Sequence, residues 1–540
     1  MRLCVLASLV VGVAALDGCS GDSAVPASSI IISRAADADN LLPPVSHSGL
    51  VGKAVTDALF DKLAEIGPAL NTIGTAGFQP RLARTWEWAA DSLQVTFHLD
   101  PEARWHDGRP VRAGDVRFAF GVYTDTLVGA TGGSDLRLAL DSISVGDSLT
   151  FTAWFKGRSP EQFYTLVSSL VPLPEHLLGK TPRDSLRTSA FGRHPVGSGP
   201  FRLTLWQPQE RIEITAVDSF YRGRAKISRV IWSVSPDMAA ATRKFMVGEA
   251  DFLEQLSPDA VAEATRHSEL RVVPYGSFDY GFVRLNLHDG ATSRPHPIFG
   301  NRALRRALTL ALDRKAMVSS VFDSLGRVNL GPFVRAQWSS DTTLAQLPFD
   351  RAAAARMLDS LGWRSRADSI RSKNGRPLAF TVLVPSSSKG RSRFAVLLQE
   401  QLRQVGVKVN IEALDFSAFL ARGSKRDFDA LMDALHPSES PSGARDSWSS
   451  AGIRAGTGPN TGGYSNPSFD AQIDSAVKSR EVAIAKAHYR AAYQTIIDDA
   501  AAIWLFEPVA IAGSNKRLKT GPLHPNAWWS GLADWTISRP

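Results

Sequence analysis

The sequence predicts an α/β protein of two or three domains, and three observations carry that reading. A chain of 540 residues is longer than one hydrophobic core serves. Between 378 and 411 the pattern reads strand, helix, strand. Leu378, Phe380, Val382 and Val384 alternate; Ala395, Leu398, Leu402 and Val405 share one helix face after Ser392; Gly406 ends the helix; Val407, Val409 and Ile411 alternate again. That spacing implies parallel strands joined by a right-handed crossover. A third observation is the alternating strand Leu93, Val95, Phe97, Leu99, which leads through a turn into a helix start at Ala113-Gly114-Asp115-Val116.

Composition is that of a soluble globular chain, 44% apolar and 21% charged, with a net charge of +8. The basic residues are dispersed in short runs such as Arg302, Arg305, Arg306 and Lys425-Arg426. Without a block of five or six, a solvated surface is expected and nucleic-acid binding is not.

The N-terminus has a positive Arg2 and an apolar stretch Leu3 to Leu16, too short to span a bilayer. It ends in Leu16-Asp17-Gly18-Cys19, which resembles the lipobox of bacterial lipoproteins, with Asp17 departing from the usual small or apolar residue. That resemblance implies a signal peptide over 1–18, a lipid on Cys19 and a small, polar tether over 19–29. Only Cys4 and Cys19 exist, so the processed chain is expected to have no disulfide, no thiol nucleophile and no cysteine-ligated metal.

Along the chain, Ile30-Ile31-Ile32 reads as a buried strand and Leu50 to Leu63 as a helix. Pro80 to Phe120 holds Trp86, Trp88, the alternating strand and the turn Trp105-His106-Asp107-Gly108. Asp-Gly supplies a turn cheaply, and Asp115 reads as the N-cap of the next helix. Pro195-Val196-Gly197-Ser198-Gly199-Pro200-Phe201 specifies backbone shape; it lacks the Gly-Lys-Thr context of a phosphate loop. Gly179-Lys180-Thr181 has that triplet, but Pro174 stands where the loop needs glycine. Asn301 to Arg314 reads as an amphipathic helix with Leu304, Ala307, Leu308 and Ala311 on one face. Asp350 caps another, stopped by Gly362 and followed by Trp363. Gly463-Tyr464-Ser465-Asn466-Pro467-Ser468-Phe469-Asp470 precedes a helix over 480–500 and a strand over 502–506.

Taken in order, these segments resemble the family 5 solute-binding proteins of ABC importers. The likeness runs from about residue 30 to 515, with Trp105 where the family often has Phe and Gly114 where it often has Glu. It implies a type II (cluster C) periplasmic-binding-protein fold: two lobes of mixed sheets with helices, joined by a double crossover hinge, plus an extra domain. Mapped here, the first domain takes 25–60, 195–285 and 507–540, the second 61–194 and the third 286–506. It further implies capture of a peptide or peptide-like solute in an interdomain cleft and delivery to a membrane permease, from an exported, membrane-anchored monomer facing the periplasm or cell exterior. A metal chelate, a sugar or an anionic compound is the alternative solute, and no cofactor is expected.

In peptide receptors of the family an Asp in a "W-x-A-D-Y-x-D-P"-like segment holds the peptide ammonium. The corresponding Leu431-Met432-Asp433-Ala434-Leu435-His436-Pro437-Ser438-Glu439 departs from that pattern. His436 lies near the position of the Asp, Glu439 is the next carboxylate, and Arg445 and Trp448 follow. Tyr280 stands where the family has an aromatic facing the cleft, and Tyr464 belongs to the "G-Y-x-N-P" match. The expected solute contacts are therefore Tyr280, His436, Glu439, Arg445, Trp448 and Tyr464. Enzyme chemistry finds little support. H-E-x-x-H, G-x-S-x-G and C-x-x-C are absent, and Ser386 with Lys389 has Ser-Lys hydrolase spacing without its partner motifs. His106 and Asp107 offer too few ligands for zinc, and His288 and His296 are too loosely placed for a metal site.

Overall fold

The computed structural model describes residues 28–46, 49–290, 292–365, 370–453 and 458–538. Cys19, the apolar segment before it and the tether up to residue 27 lie outside the described residues.

Three sheets organise the chain. The first runs, in spatial order, Leu270–Tyr275, Ala510–Asn515, Phe252–Leu253, Ser29–Arg34, Arg229–Val234, Arg211–Ala216, Phe201–Gln207. Ser29–Arg34 sits at its middle because Ile30 and Ile32 are fully buried between parallel neighbours. The second sheet has four antiparallel strands within 83–155. The third is mixed: Gly326–Arg327, Ala502–Pro508, Tyr280–Leu285, Ala430–Leu435, Ala379–Pro385, Lys408–Leu414. The first two sheets share a continuous apolar core, and the third has its own.

The expected strand–helix–strand unit is present. Ala379–Pro385 and Lys408–Leu414 pair in parallel across helix Lys389–Arg403, which starts at a Ser388 cap, four residues before the expected Ser392. Two other expectations are corrected. Asn301 to Arg314 is not one helix: Arg302–Leu310 ends, and Asp313 caps a second helix, Arg314–Phe322, by accepting from the Ala316 N–H. Asp115 is not the N-cap but sits one turn in. Its Oδ2 accepts from the Arg112 N–H at 2.8 Å and from Trp105 Nε1 at 3.1 Å, and its Oδ1 from the Glu175 N–H at 3.0 Å. One carboxylate thus ties the turn, the helix start and the segment at 175 together.

The chain passes between the first and third sheets twice, from Tyr275 to Tyr280 and from Pro508 to Ala510. Tyr280–Leu285 pairs with Ala430–Leu435, so it belongs with the third sheet and not, as expected, with the first domain.

The His106-Asp107-Gly108 turn is structural. His106 and Gly197 exchange two bonds: the His106 N–H donates to Gly197 O at 2.8 Å, and the Gly197 N–H donates to His106 Nδ1 at 3.1 Å. With Nδ1 accepting, Nε2 carries the proton and donates to Gly199 O at 3.1 Å. The imidazole is neutral and clamps the segment returning from the second sheet to the first. Burial among these backbone groups pushes its pKa down to about 4. At Gly197 the backbone approaches so closely that a Cβ would lie 1.9 Å from Leu59 O. Gly197→Ala is expected to destabilise the fold by about 2 kcal/mol, read by urea unfolding, since a main-chain carbonyl cannot rotate away. An unchanged midpoint would show that this crossing is loosely packed.

Candidate functional site

A cleft of about 1680 Å³ opens where the three sheet modules meet. Helix Gly49–Leu59 contributes Lys53 and Asp57, the C-terminal segment His524 and Asn526, helix Gln162–Ser169 and its approach Tyr164 and Glu161, and the end of strand Ala430–Leu435 delivers His436, Glu439 and Ser440.

Charge of both signs lines it. Lys53 Nζ lies 2.8 Å and Lys62 Nζ 3.3 Å from Asp57 Oδ2, which also accepts from Trp529 Nε1 at 3.0 Å. Burial alone would raise the Asp57 carboxyl; the two ammonium groups outweigh it and hold it below the usual range. Lys53 keeps half its side chain exposed, on the face of Trp529 with Nζ 6.0 Å from the ring centroid. Glu65 pairs with Arg81. On the opposite wall Glu439 Oε2 accepts from Tyr164 Oη at 2.8 Å, and Oε1 from Asn526 Nδ2 at 2.6 Å. Burial raises the Glu439 pKa, but donation from Asn526 and Tyr164 more than offsets it, so the group stays ionised. Burial, with Glu439 beside it, pushes the Tyr164 hydroxyl well up. Both ring nitrogens of His436 face oxygens, Asp279 Oδ1 and Asn526 Oδ1, each at 3.0 Å. Both must donate, and the bond to Asp279 raises the His436 pKa accordingly.

Two of the six expected contacts, His436 and Glu439, line this cleft; the other four do not. Tyr280 is 2% exposed and stacked on Phe282, with Trp504 beyond it. Trp448 is 1% exposed, edge-on to Trp504 with ring centroids 5.0 Å apart. Tyr464 is buried and donates to Asp499 Oδ2 at 2.8 Å. Arg445 donates to Asp474 Oδ1 at 2.5 Å. Tyr280, Trp448 and Tyr464 are corrected to buried packing residues of the third module, and Arg445 to the partner of Asp474 there, about a third exposed. Missed from sequence were Lys53, Asp57, Lys62, Tyr164 and Asn526. The i, i+4 pair Lys53 and Asp57 was the only local sign, and such pairs are common on solvated helices.

A model of bacterial extracellular solute-binding proteins, family 5 Middle, matches residues 77–454. The oligopeptide-binding protein AppA of Bacillus subtilis is 27% identical over 444 residues, covering 81% of this chain and 79% of that one. The probable D,D-dipeptide-binding periplasmic protein DdpA of Escherichia coli is 22% identical over 504 residues, covering 93% of each. Among solved structures, AppA from Bacillus subtilis in complex with a nonapeptide superposes with a TM-score of 0.74 at 24% identity, covering 95% of this chain and 99% of that chain. NikZ from Campylobacter jejuni in complex with Ni(L-His) gives 0.76 at 20% identity, covering 95% of this chain and all of that one. The fold is thus the type II periplasmic-binding-protein arrangement that the motifs implied. The chain belongs to the bacterial extracellular solute-binding proteins of family 5.

Proposed function

We propose that this protein is the substrate-binding lipoprotein of an ABC importer, taking a short peptide into the cleft and presenting it to a membrane permease. The observation that carries the peptide reading is the cleft itself. Its volume of about 1680 Å³ exceeds the ~300–1,000 Å³ usual for small-molecule pockets. Its walls set ammonium groups (Lys53, Lys62) against carboxylates, which suits a zwitterionic chain with donors and acceptors along its length. Arrival at AppA and DdpA by similarity points the same way, since both are described as peptide binders. Capture and release make and break no covalent bond, so no side chain is assigned a chemical step.

In this reading the three sheet modules act as domains, divided near residues 60, 195, 279 and 509, and the links 275–280 and 508–510 form the hinge. Cys19 would carry the lipid that keeps the protein at the outer face of a membrane, as a monomer.

The test is mass spectrometry of whatever co-purifies with natively folded protein, followed by tryptophan fluorescence titration with the recovered solute. Peptides bound saturably and recovered unchanged are the expected result. Recovery of sugars or of a metal chelate alone would overturn the peptide assignment, and chemical turnover would overturn the receptor reading. A hydrophobic mass added at Cys19 in membrane extracts, lost in Cys19→Ala, tests the anchor.

A further inference from the structure

Glu439 was expected to meet the solute, yet both its oxygens are already engaged, each by a different part of the protein. Oε2 takes the Tyr164 hydroxyl from the second module at 2.8 Å; Oε1 takes the Asn526 amide from the C-terminal segment at 2.6 Å. Asn526 is oriented by its other end, since its Oδ1 faces His436 Nε2 at 3.0 Å while His436 Nδ1 reaches Asp279 at 3.0 Å. Next along, Ser440 Oγ donates to Glu161 Oε2 of the second module at 2.6 Å. The segment is fixed to its own module from behind, where Gln337 Nε2 donates to Ser438 O at 2.9 Å. Three of the five residues His436–Ser440, namely His436, Glu439 and Ser440, therefore bond the other two modules at the mouth of the cleft. Two of the bonds are made to the half-buried, ionised carboxylate of Glu439, and bonds to a charged group are the stronger kind.

We infer that His436–Ser440 is a clasp holding the three modules together across the cleft, with Glu439 its positioning residue and not the solute's anchor. The inference rests on the proposed reading only in what the clasp controls, which is entry and escape of the solute. Any motion that separates the second or third module must break Tyr164–Glu439 or Asn526–Glu439. Each lost bond to the charged carboxylate is expected to speed solute escape by about tenfold.

The experiment is small-angle scattering of the full chain without solute, comparing wild type with Tyr164→Phe, Glu439→Ala and the two combined. Tyr164→Phe keeps the ring and its packing, so it isolates one hydrogen bond even if Glu439→Ala folds poorly. The expected result is a larger radius of gyration in each single variant, and a double variant no larger than Glu439→Ala, because both changes remove the same contact. Scattering curves that superimpose on wild type, or a wild type that is itself open in solution, would overturn the clasp. Because no solute is present, failure to find a peptide ligand leaves this result standing. A variant that opens and still binds peptide at wild-type affinity and escape rate would overturn the clasp's role and spare the peptide reading.

Discussion

Acidification from pH 6.5 to 4 is expected to cost up to about 3 kcal/mol of stability through His106 alone. The ring is neutral in the fold because its Nδ1 must accept from the Gly197 N–H, and burial lowers its pKa to about 4. The unfolded chain binds the proton nearer pH 6.5, so protonation favours unfolding. The sign follows: the stability is whole above pH 6.5, erodes as pH falls toward 4, and is fully lost below that. Carboxylates such as Asp57 and Glu439, held below their usual range, add their own losses at still lower pH. His106→Gln separates the contributions, because an amide offers one acceptor and one donor and does not titrate. The difference in unfolding free energy between wild type and variant should be flat from pH 8 to 6.5 and fall below it. A difference that stays flat to pH 4 would show that His106 takes up its proton as readily in the fold as in the unfolded chain, so that the Gly197 bond to Nδ1 does not hold the ring neutral.

His106 also marks where sequence reasoning stops. The turn at 106–108 and the Pro195–Phe201 segment were both readable as backbone-shaping motifs, each from its own Gly and Pro residues. Nothing local says that they touch across 91 positions. The unit at 378–414 was legible because every cue it needs is within it: alternation, a helix face and Gly406 with φ of +78°. The cleft had no such self-sufficiency. Lys53 and Asp57 sit in a helix whose visible signal is its apolar face, and Tyr164 sits in a short helix, Gln162–Ser169, that carries no motif. Their meeting with Glu439 is a product of three modules. The aromatic residues erred in the other direction. Tyr280, Trp448 and Tyr464 fall in segments near the crossover and the cleft edge, but large rings gain most by full burial, and each turned into the third module's core. Spacing in sequence gave their neighbourhood and not the direction in which they point.

Glu254→Ala is expected to be the most damaging single change in the first module, costing about 3–5 kcal/mol. Glu254 is paired with Arg34, and both are nearly enclosed, with 8% and 6% of their surface exposed. Burial lowers the pKa of Arg34, the mark of a cation that needs its partner. Removing the carboxylate leaves that charge unpaired inside the sheet, on the strand at its middle. It also frees Trp528 Nε1, which donates to Glu254 Oε2 at 2.7 Å. Trp528 packs edge-on against Trp529 at 5.5 Å, and Trp529 in turn donates to Asp57 in the cleft. The damage should therefore reach the solute. Urea unfolding of Glu254→Ala should show the full loss, while Arg34→Met with Glu254→Leu, which removes both charges and keeps the volume, should recover most of it. Solute affinity should fall in both, because neither restores the Trp528 bond that sets Trp529 and Asp57. If the double variant were as unstable as the single, the cost would lie in packing around Trp528; if affinity were untouched in both, the route from Glu254 to the cleft would carry no coupling.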